Sequence, residues 1–346
     1  MTVFDYLEYY NDLTFDDCPF NDVDNIVFST LIYLPFKHID FKKDMSINEL
    51  SKYILAKSEI QNTSMSIKWL AIKMLDSIKN SNRYSKVIFS NYVSILDHET
   101  QFGAVTIRFN SDDCYIVFKG TDNSLTGWKE DLELSYKYPV IAQTLAAKYL
   151  KNTIKFNDKN VYVGGHSKGG NLAMASVMEA DRKTYQKIKM VYNNDGPGFK
   201  KEQFDSLKYK RMAKKLKTIV PEDSLIGILL FGCDHYFVVK SNEMNIMQHY
   251  LTNWNCFGQF LVPGKLSKNS IKKKNQFNKF LLSTSDEDKK IMIDTLFDVL
   301  EKSGIKYFYE IKKIKFNEIS AMIKEIKGID EESKRIFIDV LKNLVF

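Results

Sequence analysis

A serine lies between glycines at Gly165-His166-Ser167-Lys168-Gly169, inside the longer run VYVGGHSKGGNLAMASV. β-favouring residues precede it and a helix-like run follows, so Ser167 marks a sharp strand-to-helix corner that would hold its hydroxyl above a sheet. A serine hydroxyl is a weak nucleophile. It becomes effective when an imidazole takes its proton and a carboxylate orients that imidazole. At a corner of this type the partners follow in the order serine, acid, histidine. Two acids close strands downstream: Asp195 ends VYNND and Asp223 ends TIVPED. Asp223, two strands on, holds the position the acid usually takes in such a sheet and is the expected partner. Asp195 falls in NDGPGF, where Asn and Asp beside Gly-Pro-Gly read as a structural turn. Five histidines are present. His38 and His98 precede the corner; His166 lies inside it, where its side chain is expected to point away from the nucleophile; His235 opens the strand HYFVVKS at the wrong end. His249, in IMQHYLTNW after the last strand, is left as the expected base.

Acyl-transfer chemistry also needs donors for a developing oxyanion. The backbone N–H of Lys168, at the start of the helix after the corner, is one, and the helix dipole adds to it. The second is expected from FKGTD, where Gly120 permits a tight turn and Thr121 could offer both its N–H and its hydroxyl. The same GTD is also what a simple turn closing a strand looks like.

These groups need a scaffold, and the middle of the chain reads as one. KVIFSNYVSIL and QFGAVTIRF read as paired strands with LDHET as their turn. CYIVFKGTD, NVYVGG, IKMVYNND, LKTIVPED and HYFVVKS follow as strands. Between them VIAQTLAAKYLKN, NLAMASVMEA and a stretch around Glu202–Lys214 read as helices. Such alternation predicts an α/β fold, a mostly parallel sheet with helices on both faces, whose reactive groups gather at the carboxyl ends of the strands. Residues 1–80 are expected as an N-terminal helical segment packed on the core, with a capping-like SINEL at Ser46–Leu50. Residues 81–262 are the expected core. Residues 263–346 return to helix, including KKIMIDTLFDVLEKSG, which stops at Gly304. The N-terminal helices or the loop Asn123–Tyr138 could lie over the site, and a packed helical layer is an equally good account of both.

Composition removes several other classes. The 346 residues are 44% hydrophobic and 27% charged, an ordinary balance for a folded soluble chain. The longest apolar stretch, Leu225–Cys233, is too short to span a bilayer, and the acidic N-terminus lacks a signal-peptide pattern. Cys18, Cys114, Cys233 and Cys256 are scattered without metal spacing. A reduced, cytoplasmic protein with free thiols, no metal and no cofactor is the expectation. From Val262 onward 18 Lys and Arg stand against 13 Asp and Glu, which places most of the net charge of +7 in the C-terminal helices. That surface could meet an anionic membrane peripherally, although a solvated lysine-rich face is the simpler account. No nucleic-acid motif is present.

Taken together, FKGTDNSLTGWKEDLELSY, GGHSKGGNLA, VYNNDGPGF and DSLIGILL…YFVVKSN…QH resemble an uncharacterised bacterial family of α/β-hydrolases related to class-three lipases. The similarity extends to DYLEYYNDLTFDDCPFNDVDNIVFSTLIYLPF and to the helical C-terminus. It implies an α/β-hydrolase-like fold and a serine hydrolase with Ser167, Asp223 and His249 as its triad and Thr121 as its oxyanion residue. Lys119 stands where that family's motif has arginine, and QHYLTNW departs from its usual acidic, FSW-like segment. The implied substrate is a carboxylic ester, an acyl lipid or phospholipid above all. The same triad would also serve a thioesterase or an acyltransferase, and a non-catalytic binding module of this fold is the reading from outside enzymes.

Overall fold

The chain was analysed as a computed structural model. The structure describes residues 1–346 except 37–38, 40, 42, 58–65, 123, 233–234, 308–309, 312–313 and 346, and gives only the backbone for 340 and 343–345. His38 and Cys233 therefore lie outside the described residues.

The N-terminal helices are α1 (Val3–Tyr10), α2 (Asp22–Leu31), α3 (Ile47–Lys57) and α4 (Ile67–Ile78), with one short strand of the sheet between α2 and α3. The SINEL stretch does cap α3. Glu49 accepts the backbone N–H of Ser46 at 2.7 Å, and the Ser46 hydroxyl accepts the N–H of Glu49 at 3.2 Å. An eight-stranded sheet follows in sequential spatial order: β1 (Met45–Ser46), β2 (Ile88–Leu96), β3 (Gln101–Arg108), β4 (Asp113–Phe118), β5 (Asn160–His166), β6 (Ile188–Asn194), β7 (Leu216–Pro221) and β8 (Phe237–Val239). β1 to β4 pair antiparallel and β4 to β8 pair parallel. HYFVVKS contributes only the three residues of β8. The small hairpin β9 (Cys256–Phe257) and β10 (Phe260–Leu261) stands apart from the sheet.

The remaining helices are α5 (Leu125–Glu133), α6 (Ile141–Thr153), α7 (Lys168–Met178), α8 (Arg182–Lys187), α9 (Lys201–Asp205) and α10 (Leu207–Ala213). The C-terminal set is α11 (Lys268–Ser283), α12 (Asp286–Lys302), α13 (Phe316–Lys324) and α14 (Glu331–Val345). Asn123–Tyr138 is thus not an open loop, because α5 forms within it. Ser124 caps α5 by accepting the Gly127 N–H, and Leu125, Gly127 and Glu130 face inward.

A strand covered on both faces sends alternate side chains to two different layers. In β4, Cys114, Ile116 and Phe118 enter a core shared with α6, α7 and the C-terminal helices. Tyr115 and Val117 enter a second core built with α1 to α4. One polar hub fastens that second layer. Arg83 holds Asp24 by two parallel bonds, 2.9 and 2.5 Å, with both side chains fully buried. Tyr84 donates to the same carboxylate at 2.5 Å, and Arg83 Nη1 donates to the carbonyls of Thr14 and Cys18.

Asp24→Ala would leave the Arg83 guanidinium buried without its counter-ion. The expected loss is about 3–5 kcal/mol in urea unfolding; a loss below ~1 kcal/mol would show that the pair is not what holds the N-terminal layer.

Candidate active site

Ser167 sits between β5 and α7 with φ 58° and ψ −131°, a backbone region few non-glycine residues occupy. The glycines of the motif make that corner sterically accessible. A Cβ on Gly169 would stand 2.1 Å from the Phe118 carbonyl oxygen, and one on Gly165 would stand 2.5 Å from Gly169 itself. Only at zero side-chain volume can α7 leave the sheet so close to the end of β4. The N–H of Ser167 is fixed by the Asn194 carbonyl at 3.0 Å.

Asn194 is itself locked from below. It exchanges two side-chain bonds with Asn25 of α2, 2.9 and 3.0 Å, and donates to Ser29. Asn194 therefore ends β6 in one position, and the next residue carries the site's carboxylate. Asp195 Oδ2 lies 2.6 Å from His249 Nδ1. Its other oxygen accepts the Ser224 hydroxyl at 2.5 Å and the Gly227 N–H at 3.0 Å. Asp195 has φ 50°, and a Cβ at Gly227 would meet its Oδ1 at 2.3 Å, so the turn chemistry of NDGPGF serves to aim the carboxylate.

This corrects the expectation for Asp223. Its carboxylate accepts from Gln248 Nε2 at 3.2 Å and from the Asn245 N–H at 3.4 Å, while its own N–H donates to Gln248 Oε1. It faces the glutamine next to His249 rather than the imidazole. Asp195 takes the imidazole because β6 ends directly beside the corner of Ser167, one strand nearer than β7.

His249 ends a short 3-10 turn, Asn245–His249, and with Ser167, Lys168 and Thr121 lines one cavity of about 370 Å³. Because the Asp195 carboxylate can only accept, His249 Nδ1 carries the proton and Nε2 is left as the basic nitrogen. As the first residue of α7, Lys168 has an N–H with no intrahelical acceptor. Its side chain runs the other way, into the protein, where Nζ bonds Glu130 and the Gln101 carbonyl, each at 2.9 Å. Thr121 lines the cavity, but its hydroxyl donates to Asp131 Oδ2 at 2.5 Å. Only the Thr121 N–H is left for an oxyanion. Burial pushes the Asp131 carboxyl up to about 6, against the pull of the Lys168 ammonium and the Thr121 hydroxyl.

His166 does not point into empty space. Its ring lies 4.3 Å from that of His249, its Nε2 meets the His249 carbonyl at 2.8 Å, and its Nδ1 meets the Tyr33 hydroxyl at 3.0 Å. The carbonyl cannot donate, so Nε2 holds the proton and Tyr33 donates to Nδ1. The Tyr33 oxygen in turn accepts the N–H of Gly120 at 3.1 Å. One relay thus joins the loop before Thr121, the helical N-terminal layer and the backbone of His249. Burial, with the neighbouring His249 ring, holds the His166 imidazole well below its usual pKa. The residues missed by sequence reasoning are therefore Asp195 as the partner of His249, and Tyr33 with His166 as a brace. The signal for Asp195 was present, an acid directly after a strand and before Gly-Pro-Gly; for Tyr33 none was.

The Mbeg1-like family matches residues 78–298, well over half of the chain, and the chain belongs to that family. This bears out the resemblance to a lipase-related α/β-hydrolase family. No curated protein matches. Among solved structures, a fungal lipase–inhibitor complex described as a model for interfacial activation is 14% identical, with 69% of this chain and 78% of that one covered at a TM-score of 0.37. M37 lipase is also 14% identical, with 59% and 68% covered at 0.35.

The neutral His166 gives a pH signature with a definite sign. In the unfolded chain it takes a proton below about pH 6.5, while the folded state refuses it, so this residue's contribution falls as pH drops, by up to about 1.4 kcal/mol per pH unit. Asp131, raised when folded, has the opposite sign between its ordinary range and about pH 6. It is common to both proteins when wild type is compared with His166→Asn. The stability gap between them, from urea unfolding, is expected to narrow from pH 7.5 to 5.5; a constant gap would mean that His166 takes up its proton alike in the folded and unfolded chains, and a widening one that it is charged in the fold.

Proposed function

We propose that this Mbeg1-like protein is a serine hydrolase of carboxylic esters. The observation that carries the reading is the 2.6 Å bond between His249 and the buried Asp195, formed at the edge of the cavity that also holds the corner serine.

In the proposed reaction Ser167 Oγ attacks the ester carbonyl carbon while His249 Nε2 takes the hydroxyl proton. Asp195 holds the imidazolium through Nδ1–H and stays ionised. The carbonyl oxygen becomes an oxyanion that accepts from the N–H groups of Lys168 and Thr121. The C–O bond to the leaving group breaks, and His249 returns its proton to the departing alcohol. Water, deprotonated by the same imidazole, then attacks the acyl-serine, and its collapse releases the carboxylic acid and restores Ser167. Asp195 also accepts from Ser224 and Gly227, so it is fully paired before any substrate binds and little reorganisation accompanies the charge on His249. The His166 relay fixes where the His249 backbone sits, which is what a base that must reach one particular hydroxyl requires.

Wild type should be labelled by a fluorescent fluorophosphonate, and Ser167→Ala and His249→Ala should not, with unchanged far-UV circular dichroism. An unlabelled wild type would sink the proposal. Among the acids, Asp195→Ala is expected to lower kcat on an activated ester by about 10⁴-fold. Asp223→Ala should lower it by less than about tenfold, since its loss touches only Gln248 and the Asn245 N–H. The reverse ranking would return the acid role to Asp223.

A further inference from the structure

We infer that the cavity beside Ser167 is the seat of a single medium-length acyl chain, and that the C-terminal helices form the wall that measures it. The inference rests on the proposed hydrolase reading and specifies its substrate.

The cavity has two chemically distinct ends. The ionisable residues of its lining are Asp122, Asp131, His166, Lys168, His249 and the phenols of Tyr33 and Tyr250; Lys168 Nζ is turned away to Glu130, and Tyr33 and His166 are bonded to each other. Apart from Thr121, Ser167 and Ser135, whose hydroxyl donates to the Leu132 carbonyl, the remaining lining is apolar. Trp128 and Leu132 come from α5, and Ile226, Leu229 and Leu230 come from the loop after β7. The far wall is Phe277 and Phe280 of α11, Ile293 of α12, Ile311, and Phe337 of α14. A group with donors or acceptors would lose its hydration there without compensation, whereas a methylene chain gains from leaving water.

Continuity and size narrow the occupant further. The apolar residues and Ser167 line the same cavity, so an acyl chain placed there reaches the serine through its own carbonyl. At about 370 Å³ the cavity lies at the lower end of the range for pockets that hold one small ligand, which fits one chain and not two. The wall is rigid where it counts. Phe280 stacks on Phe337 with ring centroids 5.7 Å apart, Phe277 lies 6.2 Å from Phe280, and Ile293 and Phe337 are each 1% exposed. Ile311 and Phe337 lie beyond residue 298, so part of the wall comes from outside the segment that matches the family.

Two measurements test this. In the first, kcat/KM is read for p-nitrophenyl esters from two to sixteen carbons. It should climb by up to about fourfold per methylene, peak near ten to twelve carbons and fall beyond. Ile293→Phe should move the peak two or more carbons shorter, and Phe280→Ala should move it longer. Leu229→Phe, at a half-buried lining position, repeats the shortening should the Ile293 variant not fold. A profile that is flat or falls from acetate, or a peak unmoved by these variants, overturns the inference and leaves the hydrolase reading standing. The second measurement needs no turnover. 12-Bromododecanoate should quench the fluorescence of Ser167→Ala, and the quenched component should vanish when Trp128→Phe is added. Absence of Trp128-dependent quenching overturns the inference. Quenching without fluorophosphonate labelling of wild type would keep the acyl seat and overturn the hydrolase reading instead.

Discussion

Everything at this site hangs on the contact between the Phe118 carbonyl and Gly169. It lets α7 start so near the sheet that Ser167 has to adopt φ 58°. Backbone in such regions costs on the order of 1–3 kcal/mol and survives only where its surroundings over-determine it. Here they do. The Ser167 N–H is held by Asn194, Gly170 N–H returns to the Ser167 carbonyl at 2.9 Å, and a Cβ at Gly196 would collide with that same carbonyl at 2.2 Å. The serine is presented by a corner that cannot relax.

The layers on either side of the sheet divide the remaining work. On one face α2 and the residues after it reach up through Asn25, Ser29 and Tyr33 to the ends of β6 and β5, and they fix Asp195 and His249 through backbone positions. On the other face Glu130 of α5 gathers the Lys168 ammonium, the Thr100 hydroxyl and the Ala142 N–H, each within 2.9 Å, and so ties the corner helix to β3 and α6. Buried charges of this kind are tolerated because each oxygen is spoken for. The ion pair and the relay have one feature in common. Each joins the site to a segment remote in sequence, 38 residues from Lys168 to Glu130 and 133 from His166 to Tyr33.

That separation explains what could be read from the amino acids and what could not. Strand alternation, the glycine-flanked serine and the capping box at Ser46 are local patterns, and local patterns report local backbone. The choice between Asp195 and Asp223 depends on which strand end reaches His249 after the chain has doubled back, a tertiary quantity. The turn signal of NDGPGF was read correctly and weighed wrongly, because one turn can shape a loop and aim a carboxylate together. Within Asn123–Tyr138 the choice between a loop and a packed helix is likewise tertiary, because the inward face of α5 is made of Leu125, Gly127 and Glu130 and carries no apolar stripe. Thr121 was credited with two donors since nothing in FKGTD reveals that Asp131, ten residues on, receives the hydroxyl.

The C-terminal helices meet the rest of the protein partly through half-exposed ion pairs, Lys129 with Asp294 at 2.9 Å and Lys200 with Asp286. Surface pairs of that sort contribute little and constrain little. The side chains of α11, α12 and α14 that face the cavity are held instead by burial in the core they share with α7, and none of them bonds to Ser167, Asp195 or His249 among the described residues. The parts of the cavity therefore come from separate stretches of chain, so a change of bulk on the C-terminal helices alters what the cavity admits and leaves the residues of the Ser167 corner as they are.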